Sequence, residues 1–118
     1  MSRRDPGVTL RQILVHARRL QELTATSSLQ AVTRDWKLSA AFEREMEILG
    51  EAVKRLPTGL LTQHPDIPWK QIAGTRDRLS HGYDETDHSI LWDAAQNDLA
   101  PLIIAVEKIL HDLGQAEH

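Results

Sequence analysis

A chain of 118 residues, 41% hydrophobic but only 4% aromatic, has the length for one domain and must fill its core with aliphatic side chains. It holds no cysteine, which excludes disulfides and thiolate metal centres, and no apolar run approaches the roughly 20 residues that cross a bilayer. The formal net charge of −3 supplies no global field for nucleic acid, so any RNA contact must rest on local cationic clusters and be salt-sensitive.

Residues 1–7 are charged, end in Pro6-Gly7, and lead into no apolar signal core. They read as a flexible N-terminus, and a cytoplasmic location is expected. From about residue 8 to 25, Leu10, Ile13, Leu14, Ala17, Leu20 and Leu23 recur at steps of three and four, which predicts an amphipathic helix. Thr24 to Ser28 offer weak helix formers and a break. Residues 28–36 read as a short helix entering the next. From Leu38 to Leu56 the pattern is strong, with Phe42, Met46, Leu49, Val53 and Leu56 on one stripe. Gly50 in mid-helix points to close packing, and Pro57 stops the helix.

Residues 57–68 carry three prolines and a glycine and predict a connector with at most one helical turn. Pro68 suits the first position of a helix over about 68–81, with Gly82 as a left-handed cap. Tyr83 to Ser89 is an acidic turn. A last helix from about Ile90 to Leu113 has Trp92, Ala95, Leu99, Leu102 and Val106 on its apolar side. Pro101 is expected to kink it and Gly114 to end it. Nothing reads as a strand. The prediction is a single all-α domain over residues 8–113, an antiparallel bundle of four to five helices, followed by a polar tail over 114–118. At this size a wide apolar surface is left for self-association.

The stretch most able to carry chemistry is Arg76-Asp77-Arg78-Leu79-Ser80-His81-Gly82-Tyr83. Arg76 is a permanent cation, and His81 exchanges a proton near neutral pH. Metal-free cleavage of RNA needs a base for the ribose 2′-OH, an acid for the leaving 5′-oxygen and a cation for the transition-state phosphate. His81 can fill one of the first two roles and Arg76 the third. Five helical residues set these two ~140° apart, so they share one phosphate only through the reach of the arginine and unwinding at Gly82. Asp77, four residues before His81, shares its face and can orient the imidazole. Arg78 and Lys70 add positive charge for phosphate contact. One copy lacks a second proton carrier, and a two-fold dimer through the motif-bearing face would supply it.

Competing readings exist for each group. A histidine near a helix C-terminus is favoured by the dipole alone. His81, Asp84, Asp87 and His88 could be metal ligands, but without a recognised spacing. Glu43, Glu47 and Glu51 at steps of four describe a solvated helix face. Trp36, Trp69 and Trp92 read as core or interface anchors rather than base-stacking platforms. No cofactor site is predicted.

The chain resembles the HEPN superfamily and, within it, the HepT-like toxin family, over roughly residues 8–113. The resemblance rests on three stretches: Ile48-Leu49-Gly50-Glu51-Ala52-Val53-Lys54-Arg55-Leu56, then His64-Pro65-Asp66-Ile67-Pro68-Trp69-Lys70-Gln71-Ile72-Ala73-Gly74, then the octapeptide. Arg76, His81 and Tyr83 match the family signature of Arg, four residues, His, one residue, Tyr. The resemblance implies a helical dimer whose cleft draws on both copies of the motif, and metal-independent endoribonuclease activity with Arg76 and His81 as the catalytic pair. It further implies a toxin whose partner is a minimal nucleotidyltransferase antitoxin, which neutralises it by transferring AMP to the motif tyrosine, here Tyr83. Asp77 departs from the asparagine most common after the arginine, and places a negative charge beside the substrate phosphate. The rival reading is a binding module that partners a nucleotidyltransferase without cutting RNA.

Overall fold

The computed structural model describes residues 5–81 and 88–116, with the backbone course alone for 76–81 and 115–116. Among the described residues there are six helices and no strand. They are α1 (Pro6–Thr26), α2 (Leu29–Arg34), α3 (Trp36–Lys54), α4 (Thr58–Thr62), α5 (Trp69–His81) and α6 (His88–Ala116). Four long helices form the bundle and two short ones turn its corners, which is the all-α architecture the periodicity predicts.

The helix starts are set by side-chain caps that apolar spacing does not reveal. Asp5 Oδ1 accepts from the Gly7 N–H at 2.9 Å, and Pro6 takes the first position, where its missing N–H costs nothing. α1 therefore begins two residues before the first apolar position. Ser28 caps α2 through the Ala31 N–H at 3.1 Å. Asp35 both closes α2 and caps α3, its carboxylate accepting from the Lys37 N–H at 2.9 Å. A cap of this kind is worth about 1 kcal/mol.

The end of α6 departs from expectation. Gly114 lies inside the helix, and among the described residues no glycine adopts a positive φ. A glycine weakens a helix by only about 1 kcal/mol. Leu110 and Leu113, packed against the core, hold the last turns in place across it. α6 also runs on through Pro101, which is exposed. The ring therefore displaces no core side chain, although it leaves the Asn97 carbonyl without its usual backbone donor.

The long helices run antiparallel, and specific pairs fix their register. His16 on α1 pairs with Glu45 on α3, and Arg18 on α1 with Glu107 on α6. The Thr75 hydroxyl on α5 donates to the Ile72 carbonyl at 2.7 Å and lies 3.5 Å from the Met46 carbonyl of α3. Leu10, Ile13 and Leu20 of α1, Phe42 of α3, and Leu102 and Val106 of α6 are all 0% exposed and form the centre of the core. Gly50 is buried in α3, consistent with the close packing expected of it. The tryptophans divide. Trp69 is buried and Trp92 is half-buried against the core, whereas Trp36 is 74% exposed and stands outside the core of the described residues. Its place at the first position of α3 turns it outward, with the Lys37 ammonium 5.9 Å from its ring centre.

Candidate functional site

The motif helix is anchored from its N-terminal side. Ile67 and Trp69 are buried, and the Trp69 indole N–H donates to the His64 carbonyl at 2.8 Å, tying the connector to the first turn of α5. From there α5 is a continuous helix to His81, so both Arg76 and His81 sit on regular helical backbone. At ~100° per residue, Arg76 falls on the stripe of Trp69 and Ile72. His81 falls with Lys70, Gly74 and Asp77, and Arg78 with Gln71 and Gly74. On this backbone the Arg76 and His81 positions are ~140° apart in helical register. The expected cap at Gly82 and the motif tyrosine, Tyr83, lie outside the described residues.

Lys70 is exposed and lines a cleft of about 400 Å³ between α5 and the first half of α6. Gln71, Gly74 and Thr75 complete the α5 wall, and Ile90, Asp93, Asn97 and Asp98 stand opposite. The facing wall is acidic, which tempers the cationic character of the cleft. Partial burial pushes the Asp98 carboxyl above its ordinary value. The folded state then holds the Asp98 proton more tightly than the unfolded state does. Stability from this group therefore falls as pH rises from the ordinary aspartate range through the raised folded value. Asp98→Asn is expected to raise Tm at neutral pH, with the gain shrinking as pH falls and gone only well below the ordinary aspartate value of about 3.9, where the carboxyl is protonated in both states. Paired thermal melts across that range test this, and an unchanged difference would contradict it.

A cleft of about 440 Å³ opens on the other flank of α3, between it and α1. Arg44 and Arg55 line it, but Arg44 pairs with Glu47 at 2.7 Å and Arg55 lies 3.9 Å from Glu51. Its charges are largely balanced, and it lies away from the end of α5.

Sequence reading missed a polar cluster where α3 and α6 both begin. His88 Nε2 lies 2.8 Å from Glu43 Oε2 and 3.0 Å from Ser39 Oγ, and the Ser39 hydroxyl is 3.1 Å from the same carboxylate oxygen. The His88 ring packs on Phe42, with centroids 6.5 Å apart. Glu43 is therefore not simply part of a solvated face with Glu47 and Glu51. The partners lie 45 residues apart, so no local spacing could have paired them. Of the metal-ligand reading, Asp84 and Asp87 lie outside the described residues and His88 is engaged by Glu43. Among the described residues, no group of three or more acidic or histidine side chains is placed to hold a metal.

Comparison with known proteins bears on the whole domain. The family model for HepT-like ribonucleases matches residues 10–109, a span that includes all of α2 to α5 and the motif. A Methanocaldococcus jannaschii protein bearing the name putative RNase is 32% identical over 119 aligned positions, covering 100% of this chain and 98% of its own length. A Caldanaerobacter subterraneus protein, also named a putative RNase, is 36% identical, covering 91% of this chain and 96% of its own. A Thermococcus cleftensis protein named probable ribonuclease HepT is 34% identical over 90 residues, 76% of this chain and 82% of its own. No solved structure gives a significant match. An all-α bundle with the Arg76, His81 and Tyr83 signature on and after its fifth helix, matched over most of its length by the family model, belongs to the HepT-like ribonuclease family.

Proposed function

We propose that this chain is a metal-independent endoribonuclease acting as a homodimer, with Arg76 and His81 as its catalytic pair. The observation that carries the reading is the intact signature within a family match over residues 10–109, with Arg76 and His81 on one continuous helix beside the Lys70-lined cleft. In the reaction, the ribose 2′-OH loses its proton to a base and its oxygen bonds to phosphorus. The bond from phosphorus to the 5′-oxygen then breaks, and that oxygen takes a proton from an acid. His81 serves as base or acid. The Arg76 guanidinium pairs with the non-bridging oxygens, whose charge grows in the transition state. Asp77 orients His81, while Lys70 and Arg78 hold flanking phosphates.

The biological setting follows from the family reading. The chain is the toxin of a toxin–antitoxin pair, its partner a minimal nucleotidyltransferase antitoxin. That partner silences it by transferring AMP to Tyr83. Purified protein is expected to cleave RNA in the presence of EDTA, and His81→Ala to lower the rate by about 10²–10⁴-fold. Equal rates for the two proteins would refute the catalytic assignment.

A further inference from the structure

We infer that His88, oriented by Glu43, is a second proton carrier of the ribonuclease site, contributed by the same chain as His81. The inference rests on the ribonuclease reading and deepens it.

The site as read from the motif is one proton carrier short, because strand cleavage moves one proton off the 2′-oxygen and another onto the 5′-oxygen. The described residues offer one imidazole at the right end of the bundle. The register of the helices shows why. α5 runs antiparallel to α3, with Thr75 beside Met46. Six further residues at ~1.5 Å each bring His81 level with about residue 40 of α3. α6 runs parallel to α3, with His88 at Glu43 and with Ala95 and Leu99 sharing a crevice with Met46 and Leu49, and so it is antiparallel to α5, whose Thr75 lines the same crevice. The same six residues bring His81 level with the first turn of α6. His88 is the first residue of that turn, and it contacts Ser39, Phe42 and Glu43. Two independent helix pairings thus place the His81 backbone and the His88 ring at one level of the fold.

The chemistry of the cluster suits the role. Glu43 Oε2 lies 2.8 Å from His88 Nε2, so the carboxylate accepts a hydrogen bond from that nitrogen and fixes the proton there. The Ser39 hydroxyl donates to the same carboxylate oxygen at 3.1 Å. Nδ1 is then the basic nitrogen, and among the described residues none engages it. This is the carboxylate–imidazole arrangement in which the acid group sets the tautomer and steadies the imidazolium as it forms. The ring is 15% exposed, so it is sheltered but open to a ligand at the bundle end. In the reaction His88 Nδ1 takes the 2′-OH proton, or in its protonated form returns one to the 5′-oxygen, while His81 performs the complementary transfer. No other co-reactant is needed.

A structural clamp joining α3 to α6 is the alternative, and His88→Gln separates the two. A glutamine amide nitrogen can replace Nε2 in the bond to Glu43, preserving a clamp, but it carries no titrating proton. Cleavage of a ribo-oligonucleotide in EDTA is measured against pH for wild type, His81→Ala and His88→Gln, with Tm recorded for each. The expected result is a bell-shaped profile for wild type. For His88→Gln, a rate about 10²–10⁴-fold lower, loss of one limb of the bell and a Tm near wild type are expected. Added imidazole should partly restore His88→Ala. A wild-type rate and an intact bell in His88→Gln, with His81→Ala inactive, would overturn this inference and leave the ribonuclease reading standing. No cleavage by wild type would remove both.

Discussion

Replacing Phe42 by alanine is expected to remove about 3–5 kcal/mol of stability, the range for truncating a buried aromatic ring. A domain of this size has about 5–15 kcal/mol in total, so the loss is a large fraction of its stability. The side chain is 0% exposed. Its ring centre lies 6.0 Å from that of Trp92 and 6.5 Å from that of His88, so one residue of α3 supports the whole first turn of α6. Truncation leaves a void beside both rings. Trp36→Ala is the control. It removes a larger ring from the same helix, but one that is 74% exposed, and should change stability by no more than about 0.5 kcal/mol. Urea unfolding of both variants measures the contrast. Similar midpoints would mean that Phe42 is not the packing centre described.

Modification of Tyr83 is expected to silence cleavage as completely as loss of His81. Joining AMP to the phenol oxygen forms a phosphodiester with one negative charge and adds a bulky nucleoside, two residues from His81. The new anion competes with the RNA phosphate for Arg76 and Arg78, and the nucleoside fills the space the substrate needs. The chain has a single tyrosine, so phenol-linked AMP has one possible location. Incubation with a cognate nucleotidyltransferase and ATP should raise the intact mass by one AMP unit, abolish RNA cleavage, and do neither in Tyr83→Phe. An unchanged mass, or modification of the phenylalanine variant, would refute the switch.

The bundle was legible in sequence because its apolar residues keep helical spacing without interruption. Leu10 through Leu23, and Phe42 through Val53, each mark a face that the structure buries in whole or in large part. The boundaries were less legible. Asp5 and Asp35 start their helices by capping backbone N–H groups, and a cap leaves no mark on hydrophobic periodicity. Gly114 misled in the opposite sense, since a glycine ends a helix only where the chain takes up a left-handed turn. Trp36 shows the limit of residue type as a guide to burial. Its position at the helix start decides its exposure, and that depends on the Asp35 cap.

The site was legible as a list and not as an arrangement. Arg76 and His81 stood out by residue type within one octapeptide, Tyr83 entered only through the family resemblance, and the ~140° between the first two follows from helix geometry alone. The Ser39, Glu43 and His88 cluster was invisible because it is made by the approach of α6 to α3 across 45 residues. The acidic wall of Asp93 and Asp98 facing Lys70 was hidden for the same reason. Charge in a cleft is a property of two helices, and sequence presents them one at a time.

The antiparallel register described above has a practical consequence. Arg18 meets Glu107, and His16 meets Glu45, so the first turn of α1 lies beside the last turns of α6 at one end of the molecule. The motif helix finishes at the other end, beside the start of α6. Along α6 alone, His88 and Ala116 are separated by ~42 Å at 1.5 Å per residue, close to the 48 Å long axis of the domain. A fluorophore attached at the start of α1 or in the last turns of α6 therefore stands far from the end where α5 finishes. Two copies facing each other through their motif ends would carry such labels on the outermost poles of the pair. Energy transfer between terminal dyes would be weak in that dimer and strong in one joined the opposite way, which makes the termini reporters of how two copies meet.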